Sequence, residues 1–224
     1  MQGKSFGFYA LGFVALLAIS GLAAFLIGVS HREDISVARL SQPAAATPLE
    51  LAQEGPEREN EGRDRREDRR LQSEGLLASV VPPGSDQLSL TFPAAGIYDN
   101  LVQNTSDPAA LHHGAIKLPQ TGFPWQEGAN TYIAGHVLGY VGTGSYMQFA
   151  GLPNAGIGDE FYITDAGGNR YTYRVFETLT VSPTDVWVTS PVPGKTVASL
   201  QTCVGPNYEY RLVVRGELVS VDAA

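Results

Sequence analysis

Residues 6–29 form an apolar run of 24 positions without a charged side chain. At about 1.5 Å of rise per residue, a helix of that length crosses a ~30 Å hydrocarbon core, so the pattern predicts a membrane span. A cleaved leader would have a shorter apolar centre followed closely by small residues, whereas Ala44, Ala45 and Ala46 lie well downstream; an uncleaved anchor is expected. Lys4 precedes the run, while Arg32 after it is offset by Glu33 and Asp34, which keeps the N-terminus cytoplasmic and the rest of the chain outside a single-pass cell membrane. Beyond residue 86 the pattern changes to short β-rich segments at 88–92, 97–102, 131–134, 160–165, 171–179, 186–188, 197–203 and 208–219, separated by Gly, Pro, Asn and Asp. Many short strands with turn signals between them predict an all-β barrel or sandwich. Gly167-Gly168-Asn169 reads as a hairpin turn, and short helical pieces are expected at 108–113 and 146–152.

Between the apolar run and the β-rich part, composition shifts abruptly. From Glu54 to Arg70, 13 of 17 residues are charged, seven acidic and six basic. Such a segment has almost nothing to bury against its chain entropy, so it reads as a tether, with Glu/Arg pairs four apart able to hold part of it helical. The expected organisation is therefore residues 1–30 as N-terminus and anchor, 31–85 as charged linker, and 86–224 as one domain. Arginines interleaved with carboxylates argue against nucleic-acid binding. The domain itself carries six Lys or Arg against twelve Asp or Glu, within a chain of net charge −8, and such a surface does not suit anionic polymers.

Cys203 is the only cysteine, so it cannot be half of an internal disulfide. It closes one strand segment, Gly205-Pro206 breaks the chain, and Arg211 opens the next. Ala134-Gly135-His136 closes another strand segment and places an imidazole at its end, the partner a thiol needs to act as a nucleophile near neutral pH. On a strand Arg211, Val213 and Arg215 share a face, so spacing alone permits either arginine.

Leu200-Gln-Thr-Cys203 followed by Arg211-Leu-Val-Val, with Ile133-Ala-Gly-His136 placed 67 residues before the cysteine, resembles the sortases. These are cysteine transpeptidases that attach proteins to the envelope of Gram-positive bacteria. The resemblance covers about residues 88–219 and implies a closed eight-stranded β-barrel with one or two short helices. It also implies catalytic roles for Cys203, His136 and Arg211. Cys203 would attack the carbonyl after a substrate threonine, His136 would move protons, and Arg211, selected over Arg215 by the Arg-Leu-Val-Val-x-Gly pattern, would stabilise the oxyanion. Thr202, beside the nucleophile, is a candidate to orient substrate or add a donor. The implied partners are surface proteins with a C-terminal sorting signal and an amine of lipid-linked peptidoglycan precursor. No cofactor is expected.

Within the family, the short interval from Cys203 to Arg211, the Leu-Val-Val-x-Gly-Glu-Leu ending and Val181-x-Pro183-x-Asp185-Val186-Trp187-Val188 are most similar to class E, with class D next. Val137 departs from class E, which usually has arginine after the histidine, and the 139–145 loop is longer. Class E implies Leu-Ala-x-Thr-Gly substrates. A hydrolase using the same thioester, a pilus-assembling sortase and a non-catalytic peptide-binding barrel are the alternatives; the Ser-x-Gly-Cys context of L,D-transpeptidases is absent.

Leu118-Pro119-Gln120-Thr121-Gly122 spells the pentapeptide that many sortases cut, yet no hydrophobic span and basic tail follow it, so it reads as a structural loop. His112 and His113 are adjacent and point apart, which makes a poor metal pair, and no metal is expected. Trp125 and Trp187 read as core or rim aromatics, and Asp159-Glu160 as a turn entering a strand.

Overall fold

The computed structural model describes residues 48–224. The expected span at 6–29 lies outside the described residues. Among the described residues, no helix is long and apolar enough to cross a membrane.

Eight strands close a barrel: β1 (Leu88–Phe92), β2 (Ile97–Asn104), β3 (Ala115–Lys117), β4 (Asn130–Ala134), β5 (Glu160–Asp165), β6 (Arg170–Val181), β7 (Val197–Val204) and β8 (Tyr210–Asp222). Around the barrel the order is β1-β2-β3-β4-β7-β8-β6-β5, and β5 pairs with β1 to close it. The β2–β3 and β4–β7 contacts are parallel; the others are antiparallel. Closure leaves no open sheet edge. Inside, Leu90, Phe92, Ile133, Phe161, Ile163, Tyr171, Tyr173, Leu200 and Val214 make the main core. Because successive strand residues face opposite ways, the outer faces of β4 and β8 carry a second cluster. There Tyr132 and Val213 meet Val188 from the connection between β6 and β7. That second layer matters for the site, since Cys203 lies on the same outer face of β7 as Gln201, which accepts a hydrogen bond from Tyr132 Oη at 2.8 Å.

Three local expectations change. The segment at 186–188 is not a strand but part of a 3-10 turn, Val186–Thr189. Asp185 accepts from the backbone of Ser182 at 2.7 Å and bends the chain, so that Val188 alone turns inward while Val186 and Trp187 stay exposed. The piece expected as helix at 108–113 is a 3-10 turn, Pro108–His112, whose first N–H groups are met by Asp107. The helix expected at 146–152 is a series of turns ending in the 3-10 segment Leu152–Asn154, since Met147 takes a positive φ of 55° and Pro153 follows. β3 has no counterpart among the predicted strands; three residues are too few to show a period.

The largest difference lies before the barrel, where the segment read as a tether holds the one α-helix among the described residues, α1 (Pro48–Leu77). From residue 60 to 70 its described side chains are polar apart from Gly62, and Glu61–Arg65 and Arg70–Glu74 pair as expected of a helix supported by pairs four apart. One face of its C-terminal turns is docked, however. Leu76, Leu77 and the following Val80 pack against the main core, Ser73 is buried, and Arg66 lies against Gly194. Leu76 and Leu77 are the apolar residues that the charge count before them obscures. They predict that a protein cut to residues 86–224 still folds but is less stable than one starting at residue 60, by about 2 kcal/mol for two half-buried leucines and a valine. Thermal melts of the two should differ by several degrees. Equal melts would show that the docked turns contribute nothing.

Candidate active site

β4 and β7 run side by side in parallel, with Ala134 level with Gln201, and the pairing continues one step further where Gly135 N–H donates to the Gln201 carbonyl at 3.0 Å. The residues after these two, His136 and Cys203, therefore emerge together at the same end of neighbouring strands. They share a cleft of about 340 Å³ with Val137, Leu138, Gly139, Tyr140 and Tyr208. Cys203 is half-buried, and among the described residues it is the only thiol. His136 is half-buried too. Burial first, and then the charge of nearby His112, hold its imidazole below the ordinary histidine value.

Arg211 stands directly across from Cys203 in the β7–β8 ladder. Its Nη1 donates to the Tyr208 and Tyr210 carbonyls at 2.9 and 3.0 Å, while Nε and Nη2 make no hydrogen bond among the described residues. Tyr208 has a positive φ of 59°, a strained setting for a bulky residue, and it holds that setting between Arg211 and its own N–H bond to Gly205. The guanidinium thus shapes the wall of the cleft that Tyr208 forms. Arg215 has a different place. It is buried opposite Ser199, with Nη1 on Glu177 at 2.8 Å and Nη2 on the Val188 carbonyl at 3.1 Å, which ties the 3-10 turn to the barrel. Trp187 covers it at 5.4 Å.

Thr202 points the other way from Cys203. Its side chain is buried, and Oγ1 donates to the Gly135 carbonyl at 3.0 Å, so its contribution is to fasten β7 to the segment that carries His136. The cleft walls Leu138, Tyr140 and Tyr208 were not singled out from sequence. The only signal was their place, two to five residues beyond the histidine and the cysteine, in Gly-rich or Gly-Pro loops.

Leu118 to Gly122 lies outside this cleft and folds on itself. Thr121 N–H and Oγ1 both donate to the Leu118 carbonyl, and the Thr121 carbonyl accepts from Lys117 Nζ at 2.7 Å. A side chain at Gly122 would meet the Ala129 methyl at 2.5 Å. The turn is held by these bonds around a buried Thr121, while Pro119 and Gln120 at its tip are exposed. Lys117 is itself fully buried, over the Phe123 ring and bonded to Asn104, Leu118 and Thr121. Burial lowers its ammonium to about 8, against a weaker opposing pull from Asp86. Between about pH 8 and 10.5 the unfolded chain then binds more protons, so stability should climb with pH across that window, by up to about 3 kcal/mol from this group. Urea midpoints at pH 7.5 and 9.5 should diverge between the wild type and Lys117→Met. Parallel profiles would show that the buried ammonium is not strained.

An eight-stranded barrel that brings a cysteine and a histidine together at parallel strand ends holds the residue pair of a thiol-dependent enzyme. A family model described as Sortase domain matches residues 90–219, more than half of the chain, and the chain belongs to the sortase family, whose members are cysteine transpeptidases. Sortase A of Streptococcus agalactiae serotype III (strain NEM316) is 38% identical over 93 residues, which span 41% of this chain and 37% of that protein. The fold is also similar to that of a lid mutant of sortase A from Corynebacterium diphtheriae, with a TM-score of 0.55 at 23% identity, covering 70% of this chain and 95% of that one. Sortase A of Listeria monocytogenes gives a TM-score of 0.52 at 27% identity over 61% of this chain and 89% of its own.

Proposed function

We propose that this protein is a sortase that cleaves a Leu-Pro-x-Thr-Gly or Leu-Ala-x-Thr-Gly sorting signal between Thr and Gly and transfers the acyl group to an amine of peptidoglycan precursor. The observation that carries the reading is the shared cleft of Cys203 and His136, with Arg211 directly opposite the cysteine. A neutral His136 takes the Cys203 proton as sulfur attacks the threonine carbonyl carbon. The new C–S bond leaves negative charge on the carbonyl oxygen, where Arg211 offers the donors not used on Tyr208 and Tyr210. Collapse breaks the C–N bond, and the imidazolium gives its proton to the departing glycine amine. An incoming amine then attacks the thioester and loses a proton to His136, and the C–S bond breaks to restore the thiol.

The class E reading rests on the Val181 to Val188 and Arg211 to Leu218 motifs, and it favours Leu-Ala-x-Thr-Gly donors. The span at 6–29 would anchor the enzyme in the cell membrane with the barrel outside, beside lipid-linked precursor. Amine dependence decides between transferase and hydrolase. Water surrounds an exposed thioester at roughly 55 M, so transfer needs a positioned amine. Donor peptide with and without diaminopimelic acid or a glycine peptide should give slow hydrolysis alone and a faster, mass-identified conjugate with amine. Hydrolysis unchanged by any amine would leave a thiol hydrolase.

A further inference from the structure

Beside His136, on the cleft wall, stands a tyrosine, and beyond it a second histidine, that the acyl-transfer steps leave unused. His112 ends the 3-10 turn between β2 and β3. Its ring lies 4.5 Å from that of Tyr140, tilted by 60°, and Tyr140 in turn meets His136 edge-on at 5.7 Å. The arrangement is built into the backbone. Tyr140 N–H donates to Ser145 Oγ at 3.1 Å, and its carbonyl accepts from Thr143 N–H and from Thr143 Oγ1 at 2.8 Å. Gly139 before it has a φ of +59°, and a Cβ there would sit 2.0 Å from the Ser145 carbonyl oxygen, so only glycine fits. Further along, a Cβ on Gly144 would come within 2.3 Å of the His113 carbonyl oxygen. The long 139–145 loop is thus seated on the turn that carries His112.

A catalytic base needs its ring held at one angle, and in many nucleophile–base pairs a third hydrogen-bonding group does this. Neither ring nitrogen of His136 has a protein hydrogen-bond partner among the described residues; its aromatic contact is the edge-on Tyr140. We propose that Tyr140 and His112 are positioning residues: the Tyr140 ring holds the His136 imidazole at the angle from which it serves Cys203, and the His112 ring, 4.5 Å from Tyr140 on its far side, braces Tyr140 in that place. The inference rests on the reading of His136 as the acid–base group. His136 is faced by Cys203, Tyr208 and Tyr140 around the cleft, with His112 beyond Tyr140, and Arg211 turns its Nη1 to backbone carbonyls. His112 is faced by Tyr140, with His113 and the capping Asp107 on its own turn. A charged His112 repels a second charge on His136 and acts in the same direction as burial.

The full-length chain has four histidines, so selective carbon-13 labelling of their rings resolves each titration, with single substitutions assigning them. His112→Gln, at an exposed position, should move the His136 midpoint upward. Tyr140→Ala should do the same by opening the ring to water, and should lower kcat by about tenfold, a part of the 10² to 10⁴ that a well-placed acid–base group contributes. Tyr140→Phe keeps both ring contacts and should recover most of that loss. A His136 midpoint unmoved by His112→Gln, a Phe variant as damaged as the Ala variant, or a loss confined to KM would each overturn the proposal. The titrations do not depend on turnover, so a wild type inactive on every sorting peptide would refute the acyl-transfer reading while the midpoints still judge the ring cluster.

Discussion

Cys203→Ala and His136→Ala are each expected to abolish peptide cleavage while leaving thermal unfolding close to wild type. Both side chains are half-buried at the rim of the cleft, and neither belongs to the main core or to the Tyr132 cluster. Removing the thiol takes away the only group among the described residues able to form the thioester, so the loss should be complete rather than graded. The histidine variant should still fold and should retain a thiol that reacts slowly with alkylating agents. If Cys203→Ala went on cutting a sorting peptide, the nucleophile would lie elsewhere and the mechanism would fail at its first step.

The second large effect belongs to Arg211. Arg211→Lys keeps the charge but not the planar fork, and here the fork has two tasks. Nη1 holds the Tyr208 and Tyr210 carbonyls, and in the proposed mechanism the remaining donors serve the oxyanion. Loss of one oxyanion donor is worth about 10² to 10³ in kcat, and a released Tyr208 should add a rise in KM because it lines the cleft. The matched change Arg215→Lys should act differently. Arg215 is buried on Glu177 and the Val188 carbonyl, so that variant should lose stability, by about 3 kcal/mol, with far less effect per folded molecule on turnover. Kinetics on equal amounts of folded protein separate the two. A neutral Arg211→Lys beside a crippled Arg215→Lys would reverse the assignment.

Much of the barrel was legible because its strands are long enough to show turns at both ends. The segments at 88–92 and 160–165 coincide with β1 and β5, and those around Thr131, Tyr171, Val197 and Arg211 differ from the observed strands by one to three residues. What escaped has physical reasons. β3 is three residues long and gains its place only by pairing with Val102 to Asn104 on one side and with Ile133 and Ala134 on the other. The Val186 to Val188 run has the composition of a strand, but Asp185 and the pull of Arg215 on the Val188 carbonyl turn it into a 3-10 helix. The docked end of α1 was hidden because charge density marks a segment as solvated, while docking depends on the few apolar residues that follow it.

At the site, residue types and order pointed to Cys203 and His136, and the structure adds what no spacing contains: parallel pairing of β4 with β7 brings them level. The choice between Arg211 and Arg215 could not come from a two-residue period, since both lie on one face of β8. In the ladder the two part company: Arg211 stands opposite Cys203 and Arg215 opposite Ser199. Thr202 shows the converse. Adjacency to Cys203 drew attention to it, yet adjacency on a strand sends its side chain to the opposite face.

The most direct measurement is the intact mass of the protein after brief exposure to sorting peptides of the Leu-Pro-x-Thr-Gly and Leu-Ala-x-Thr-Gly types, with acid quenching and fragment mapping. The account predicts an adduct equal to the peptide up to and including its threonine, located on Cys203, absent in Cys203→Ala and discharged by added amine. Peptide cleavage with no adduct on Cys203, or an adduct that survives the cysteine substitution, would contradict it.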